Sequence, residues 1–227
     1  MNGWTGDERD VVKPDRTHIA AEIVRVCRRL YERGLIAGAE GNVSARVGRD
    51  VILATPAGRC KGDLDPDELV ELSPDGTPRD TDRNPSTEIR MHLRVYEKRR
   101  DARAVVHAHP PTATGFAVAG EGLMAPVLPE LMLLTGPVPL VPYGQPGTDA
   151  LCDQLDPYLA DYDAFLLANH GATTVGRSLE EALHRMETLE QGARILLAAR
   201  QLGRVNELPP QSAAALRLLR ATLRSSP

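Results

Sequence analysis

Three histidines in two short motifs carry the most informative chemistry of this 227-residue chain. His107 and His109 lie in VVHAHPP and His170 lies in LLANHGA, and each motif follows a run of strand-forming residues. Alternate residues of a strand face the same side, so His107 and His109 can reach one cation. A third histidine from the end of another strand leaves one coordination position open, as in catalytic zinc sites. The pattern therefore predicts metal-assisted chemistry.

The other histidines are interpreted differently. A histidine by itself is more often an ordinary core or surface residue than a ligand, and His18 and His184 lie on predicted helices without a second ligand at metal spacing. His92 lies one helical turn after Glu88 and can mimic a ligand pair. Imidazole accepts several metals, so the prediction is Zn²⁺ or another divalent ion such as Mn²⁺, Fe²⁺ or Co²⁺.

Composition excludes several classes of protein. With 42% hydrophobic residues the chain can bury the core of one large α/β domain spanning residues 1–227, with a loose N-terminal segment of about 15 residues. The net charge of −4 offers no basic surface for nucleic acid. Three scattered cysteines indicate a reducing compartment, and neither a signal peptide nor a membrane span is apparent. We expect a cytoplasmic protein with neither a nucleic-acid nor a membrane partner.

Hydrophobic periodicity and turn signals predict the elements that must position these residues. The predicted helices are Arg16–Arg33, 86–98, PPTATGFAVA, TDALCDQLDPYLA, a helix from the Ser178/Glu181 capping box to about residue 200, and a tail from Gln211 to Leu223. The predicted strands are NVSARV, VILA, LVELS, RAVVHAH, VPLV, AFLLA and ATTV. Many strands are too closely spaced for crossover helices, which predicts one mixed, largely antiparallel sheet covered by helices on both faces.

Five motifs then carry a resemblance to a known family. AEGNVSAR, TPAG, PSTE, HAHP and NHG occur in the order and approximate spacing of the class II aldolase/adducin family, and the likeness runs from about residue 17 to residue 200. Enzyme members of this family include the L-fuculose-phosphate aldolases. The resemblance implies a three-layer α/β/α fold, a zinc ion on three histidines, and a cyclic homotetramer with active sites at subunit interfaces.

The resemblance also assigns roles to individual residues. His107, His109 and His170 match the three metal ligands, and Glu88 matches the glutamate that coordinates the resting metal and then acts as base. Related 4-epimerases carry an aspartate at that position, so Glu88 favours an aldolase. Breaking a carbon–carbon bond beside a ketone passes through an enediolate that a divalent cation stabilises, while a carboxylate moves the proton. Glu88 can alternatively be an acidic residue favoured at a helix start.

A phosphate site is predicted beside this centre. Ser86 and Thr87 lie where a helix is expected to begin, so free backbone N–H groups and two hydroxyls can converge on an anion. Asn42 and Gly58 match the family's two other phosphate-holding loops. Ordinary turns at Asn42 and Gly58 and an N-cap at Ser86 are the alternatives.

The chain departs from the aldolase pattern in several places. Ala39 and Ala57 replace threonines of the family's loops, and the family's proton-donating tyrosine would align near Pro129. A second, C-terminal tyrosine has no counterpart after Tyr162. Glu130 lies beside the missing tyrosine and is either a substitute acid or a surface or interface carboxylate.

Three functional hypotheses follow. The first is a metal-dependent aldolase acting on a small sugar phosphate or a related hydroxy-ketone. The second is a zinc-dependent dehydratase resembling the methylthioribulose-phosphate dehydratases, in which Glu130 moves the proton, or a 4-epimerase. The third is a non-enzymatic scaffold resembling adducin, which the retention of three histidines disfavours.

Overall fold

A computed structural model describes residues 15–79 and 83–225. The segment predicted to be loose lies outside the described residues as far as residue 14. The described elements are α1 (Arg16–Glu32), β1 (Asn42–Val47), β2 (Val51–Ala54), β3 (Val70–Leu72), α2 (Ile89–Lys98), β4 (Ala104–Ala108), α3 (Pro111–Val118), α4 (Pro129–Leu134), β5 (Leu140–Val141), α5 (Asp149–Leu155), β6 (Ala164–Leu167), β7 (Gly171–Gly176), α6 (Leu179–Gln201) and α7 (Pro210–Ser225).

The strands form one seven-stranded sheet in the order β3-β2-β1-β4-β7-β6-β5. Every pair is antiparallel except β5–β6, which is parallel. The prediction of a mixed, largely antiparallel sheet is therefore confirmed. Short connections such as the β1–β2 hairpin, where Gly48 has a φ of +68°, allow antiparallel neighbours without crossover helices.

Two hydrophobic cores lie on opposite faces of this sheet. Alternation along β4 sends Ala104, Val106 and Ala108 into a core with α1, α3 and α6, while Val105 enters the other core, with α2 and α5. Three layers result, helices on each side of the sheet, which confirms the predicted α/β/α architecture. His107 has the parity of Val105, so its side chain faces the α2 layer.

Local differences from the predicted elements have simple causes. Helix α2 begins at Ile89 rather than at residue 86, because Ser86 to Glu88 form a turn before it. A 3.0 Å hydrogen bond from the Ile89 N–H to the Ser86 carbonyl closes this turn. The predicted capping box of α6 is present in part. Ser178 accepts from Glu181 N–H at 3.1 Å, but the Glu181 carboxylate accepts from the N–H of Arg177 instead of that of Ser178.

Helix α4 was not predicted. It is only six residues long and begins with Pro129, whose fixed φ suits a first helical position. Six residues are too few to show a helical period, so hydrophobic periodicity does not predict this helix. Among the described residues, no helix is both long and apolar enough to cross a membrane.

Candidate active site

The side chains of His107, His109 and His170 converge at one end of the sheet. Their ligand atoms all lie within 4.8 Å of one another, and Nε2 of His107 is 3.2 Å from Nε2 of His109. The ring centroids are 4.7 to 5.2 Å apart. The structure thus brings the three predicted ligands to a single point, where one cation can contact all of them.

The backbone before and after His170 explains this convergence. Asn169 has a φ of +56°, the left-handed conformation that asparagine tolerates better than most residues, and the tight turn that it forms connects β6 to β7. A Cβ at Gly171 would lie 2.6 Å from Cδ2 of His109 and 2.6 Å from the Ala108 carbonyl oxygen. The Asn-His-Gly motif therefore turns the chain and leaves room for the His109 ring.

His107 is oriented by residues on the neighbouring strands. Its register partners are Asn42 on β1 and Thr173 on β7, and its Nδ1 lies 3.1 Å from Thr173 Oγ1. Thr173 donates its own hydroxyl proton to Met91 Sδ, so it accepts from His107 Nδ1–H. That tautomer leaves the Nε2 lone pair of His107 facing the other two rings, as a metal ligand requires.

Burial favours the neutral, metal-binding form of His107 and His109. It lowers the pKa of His107 to about 3, against the opposing charge of Glu88. Burial also lowers the pKa of His109, helped by His170 and opposed by Glu40, whose half-exposed carboxylate lies 3.4 Å from His109 Nδ1. A carboxylate behind a ligating histidine fixes the ring and raises its basicity as a ligand.

Glu88 faces the three rings from the turn before α2. Its Oε1 is 3.0 Å from His170 Nε2 and its Oε2 is 3.4 Å from His107 Nε2. Asn42 donates its side-chain amide N–H to Oε2 at 2.8 Å. Burial alone would raise the pKa of Glu88, but His107, His170 and Asn42 together outweigh it and hold that pKa below its ordinary value. Glu88 is therefore an ionised carboxylate aimed at the cluster.

The donor set fits a divalent cation. Imidazole nitrogens and carboxylate oxygens face one another at close range, and His170 Nδ1 is buried without a hydrogen-bond partner among the described residues. Histidine and carboxylate ligands suit Zn²⁺, Mn²⁺, Fe²⁺ and Co²⁺. A cation bound by the three histidines would place a positive charge beside the buried, ionised carboxylate of Glu88.

The remaining histidines lie outside this cluster. His92 is buried, and its Nδ1 lies 2.7 Å from Ser44 Oγ, which is 2.8 Å from the hydroxyl of Tyr96. Burial lowers the pKa of His92 to about 4, against the effect of Glu88. His92 thus ties α2 to β1 behind Glu88 and is not part of the ligand group. His18 and His184 lie on helix surfaces, and each is near a glutamate four residues away on the same helix.

The predicted phosphate residues lie on loops that meet near Glu88. Ser86 N–H donates to the Thr55 carbonyl at 3.2 Å, and Ala57 N–H donates to the Asn84 carbonyl at 3.0 Å, which brings the Gly58 loop beside Ser86 and Thr87. Gly58 is exposed and has a φ of +68°. Thr87 is exposed as well, and Ser86 is half-buried. These residues can therefore reach a ligand next to the metal centre.

Buried Lys61 joins the loop before Asn42 to the loop that contains Gly58. Its Nζ donates to the carbonyl oxygens of Ala39 at 3.0 Å and Arg59 at 2.7 Å. Burial lowers the pKa of Lys61. Asn42 itself directs its amide at Glu88, so its side-chain nitrogen serves the carboxylate in this arrangement.

Glu130 is placed elsewhere. It lies in the first turn of α4, is exposed, and lines a cavity of about 530 Å³ between α4 and α6 that also contains Glu187 and Glu190. In the described part of the chain no contact joins Glu130 to the three histidines.

Sequence reasoning missed Thr173, Glu40 and Lys61. Glu40 lies inside AEGNVSAR, and Lys61 follows TPAG by a few residues, so the motifs pointed to their neighbourhood but not to their roles. Thr173 carries no local signal, because its contact with His107 depends on the register between two strands.

Comparison with known proteins agrees with this geometry. The family model described as class II aldolase and adducin N-terminal domain matches residues 21–197. The 3-oxo-tetronate 4-phosphate decarboxylase of Escherichia coli K12 is 37% identical over 179 residues, covering 77% of this chain and 84% of the relative. The L-fuculose phosphate aldolase of Methanocaldococcus jannaschii is 31% identical over 176 residues, covering 78% and 94%. The crystal structure of YgbL from Escherichia coli superposes with a TM-score of 0.83 at 33% identity, covering 89% of this chain and 99% of that one.

Proposed function

The chain belongs to the class II aldolase and adducin N-terminal domain family, and from this premise we propose that it is a metal-dependent lyase that removes carbon dioxide from a small phosphorylated 3-oxo sugar acid. The observation that carries the proposal is the convergence of His107, His109 and His170 with the ionised Glu88. Members of this family generally depend on a divalent metal.

The chemistry of such a substrate suits this set of residues. In a 3-oxo-tetronate 4-phosphate the carboxylate is attached to the carbon next to the ketone. When that bond breaks, carbon dioxide leaves, the electron pair stays on the carbon and is delocalised toward the ketone oxygen, and a proton then adds to the carbon. A divalent cation bound by the histidines would supply Lewis-acid stabilisation of this developing negative charge. The product is a three-carbon hydroxyketone phosphate.

Aldol cleavage of a ketose 1-phosphate leaves the same three-carbon fragment and differs in the departing group. In aldol cleavage a base must remove the proton of the hydroxyl group that becomes the aldehyde carbonyl. Carbon dioxide departs without such a proton transfer. Near Pro129 the chain lacks the tyrosine that aldolases of this family use in proton transfer, and no tyrosine follows Tyr162. The missing tyrosines therefore support decarboxylation, as does the higher identity to the decarboxylases.

Each residue of the site has a proposed role. Glu88, ionised at rest, would take a proton from water and pass it to the carbon that carbon dioxide has left, and Asn42 holds one oxygen of that carboxylate in place. Gly58, Ser86 and Thr87 bind the phosphate through loop N–H groups and hydroxyls. Glu130 has no role in this reaction, which agrees with its position between α4 and α6.

Aldol cleavage of a small ketose phosphate is the second candidate. It is favoured by the glutamate at position 88 and by the relatives named L-fuculose phosphate aldolase and 5-deoxy-D-ribulose 1-phosphate aldolase. The homotetramer implied by the family likeness also stays a proposal. Apolar side chains exposed on α4 and α7, among them Leu134, Leu218 and Leu223, support it as surfaces that a second copy would cover.

A substrate panel tests the proposal. Protein loaded separately with zinc, manganese, iron or cobalt is incubated with 3-oxo-tetronate 4-phosphate, with the unphosphorylated acid, and with several ketose 1-phosphates. Carbon dioxide, aldehyde and loss of water are measured in parallel. We expect carbon dioxide release from the phosphorylated acid to be the fastest reaction. Aldehyde release without carbon dioxide would assign the second candidate, and loss of water alone would assign a dehydratase.

A further inference from the structure

A second charged cavity lies at the end of the sheet opposite to the histidines. It has a volume of about 1050 Å³ and is bounded by the last residues of β1, the β1–β2 hairpin, the chain before β4 and the start of α6. Arg103, at its edge, precedes His107 by four residues of an extended strand, a separation of about 13 Å. We call it the arginine cavity, after five of its lining residues: Arg46, Arg49, Arg79, Arg103 and Arg177.

The acids near these arginines do not balance them. Arg177 pairs with Glu181 at 3.6 Å, and the lining itself contains two acidic residues, Glu22 and Asp50, so the other four arginines leave an excess of two positive charges in a chain whose net charge is −4. The Glu22 carboxylate lies 3.6 Å from His18 and 3.6 Å from Arg25, both on α1, so it also interacts with side chains outside the cavity. The cavity is therefore a local cationic region on an acidic protein.

The contacts of Arg79, Arg49 and Arg103 leave donors free. Arg79 donates to the backbone carbonyl of Asp50 at 2.6 Å and to Ser73 Oγ, both neutral acceptors. Arg49 and Arg103 are exposed, and no carboxylate of a described residue lies within ion-pair distance of either. Guanidinium groups with unused N–H donors are the side chains that recognise phosphate and carboxylate best.

Arg46, which also lines the cavity, contacts Tyr96 of α2. It donates to the Tyr96 carbonyl oxygen, and its guanidinium lies 4.9 Å from the centre of the Tyr96 ring. Its Nε is buried and has no hydrogen-bond partner among the described residues. Burial lowers the pKa of Arg46, Tyr96 opposes this, and the nearby charge of Arg103 lowers it further. Two close arginines without an acid between them repel each other unless an anion lies there.

We propose that the arginine cavity binds a small phosphorylated polyanion as a site separate from the metal centre. A cavity of this volume accommodates an organic molecule rather than a single inorganic ion. Several guanidinium groups around it favour a ligand with at least two anionic groups. No step of the lyase reaction uses these residues, so this site stands independently of the proposed function.

Calorimetric titration of metal-loaded protein with 2,3-bisphosphoglycerate at fixed ionic strength tests the site. The probe carries three anionic groups on three carbons. In Arg49→Gln/Arg103→Gln we expect affinity to fall by at least about tenfold, since both guanidinium groups would donate charge-assisted hydrogen bonds to the probe. Arg28→Gln/Arg204→Gln, which removes two exposed arginines outside the cavity, is the matched control and should bind as the wild type does.

A second comparison separates this site from the metal centre. Ser86→Ala/Thr87→Ala alters the predicted phosphate loops and should leave binding of the probe to the arginine cavity intact. Loss of binding in that variant, equal loss in the control pair, or absence of binding to the wild type at millimolar probe would each overturn the proposal. If the glutamine pair does not fold by circular dichroism, Arg103→Lys replaces it, because lysine keeps the charge but lacks the two-pronged donor geometry.

Discussion

The side-chain amide of Asn42 donates a hydrogen bond of 2.8 Å to Oε2 of Glu88, joining the first residue of β1 to the residue before α2. The two residues are 46 positions apart in the sequence. Asn42 is also the register partner of His107. One amide therefore links the strand that carries a metal ligand to the carboxylate that faces that ligand.

Replacing this amide should shift the acid side of the pH–rate profile. Asn42→Asp puts a second carboxylate beside Glu88 and removes a donor that favours its ionised form, so the pKa of Glu88 should rise. Activity that needs ionised Glu88 is present above that pKa and lost as pH falls through it. The acid limb of kcat/KM should therefore move to higher pH by about one unit or more. Asn206→Asp, an exposed site with the same charge change, is the control. An unmoved acid limb at normal metal content would contradict the role of Asn42.

Glu88 and Glu130 can be distinguished by matched substitutions. Glu88→Gln keeps the shape and removes the ionised carboxylate, so turnover should fall by about 10²–10⁴, the span of a positioned acid–base group. Metal content should change little, because the three histidines are intact. Glu130→Gln should cost much less, since Glu130 lies in the cavity between α4 and α6. A larger loss in Glu130→Gln would move the proton-transfer role to Glu130 and favour the dehydratase hypothesis.

Thr173 and Thr174 provide a test of how His107 is oriented. Thr173→Val removes the acceptor for His107 Nδ1–H and should weaken metal affinity by about 10–100-fold, the usual effect of losing a group behind a ligand. Thr174→Val is the control, because Thr174 is equally buried on the same strand but donates to the Ala182 carbonyl. Competition with a chromophoric chelator measures both affinities, and His107→Ala/His109→Ala gives the fully disrupted reference. Equal affinities in the two valine variants would show that Thr173 does not set the tautomer.

The phosphate loops can be tested through substrate preference. Ser86→Ala/Thr87→Ala removes two hydroxyls beside the turn that precedes α2 and should raise KM by about tenfold for a phosphorylated substrate. KM for its unphosphorylated analogue should stay nearly constant, and steady-state kinetics on the pair gives the ratio directly. Equal changes for both compounds would mean that these hydroxyls do not contact phosphate.

The sequence by itself predicted the histidine cluster and most of the elements. His107 and His109 are two residues apart, and the two-residue period of a strand places them on one face wherever that strand lies. Hydrophobic periodicity and end signals are equally local, so α1, α6 and all seven strands appear close to their predicted positions. His170 was added to this pair by its place after a second run of strand-forming residues, and Glu88 by the family motif PSTE.

Tertiary structure decided what surrounds those ligands. Thr173 acts on His107 across a strand pair whose members are 66 residues apart, and that register arises from the packing of the whole sheet. Adjacent Thr174 has the same side chain and faces the other side of the sheet, and only the register between β4 and β7 decides that Thr173 is the one opposite His107. Glu130 was predicted to be either a substitute acid or a surface or interface carboxylate, and within one chain α4 places it in the cavity between α4 and α6, so its role stays a prediction. The shared face of His107 and His109 follows from short-range geometry, whereas the orientation and electrostatics of the cluster depend on contacts between distant segments that form only when the chain is folded.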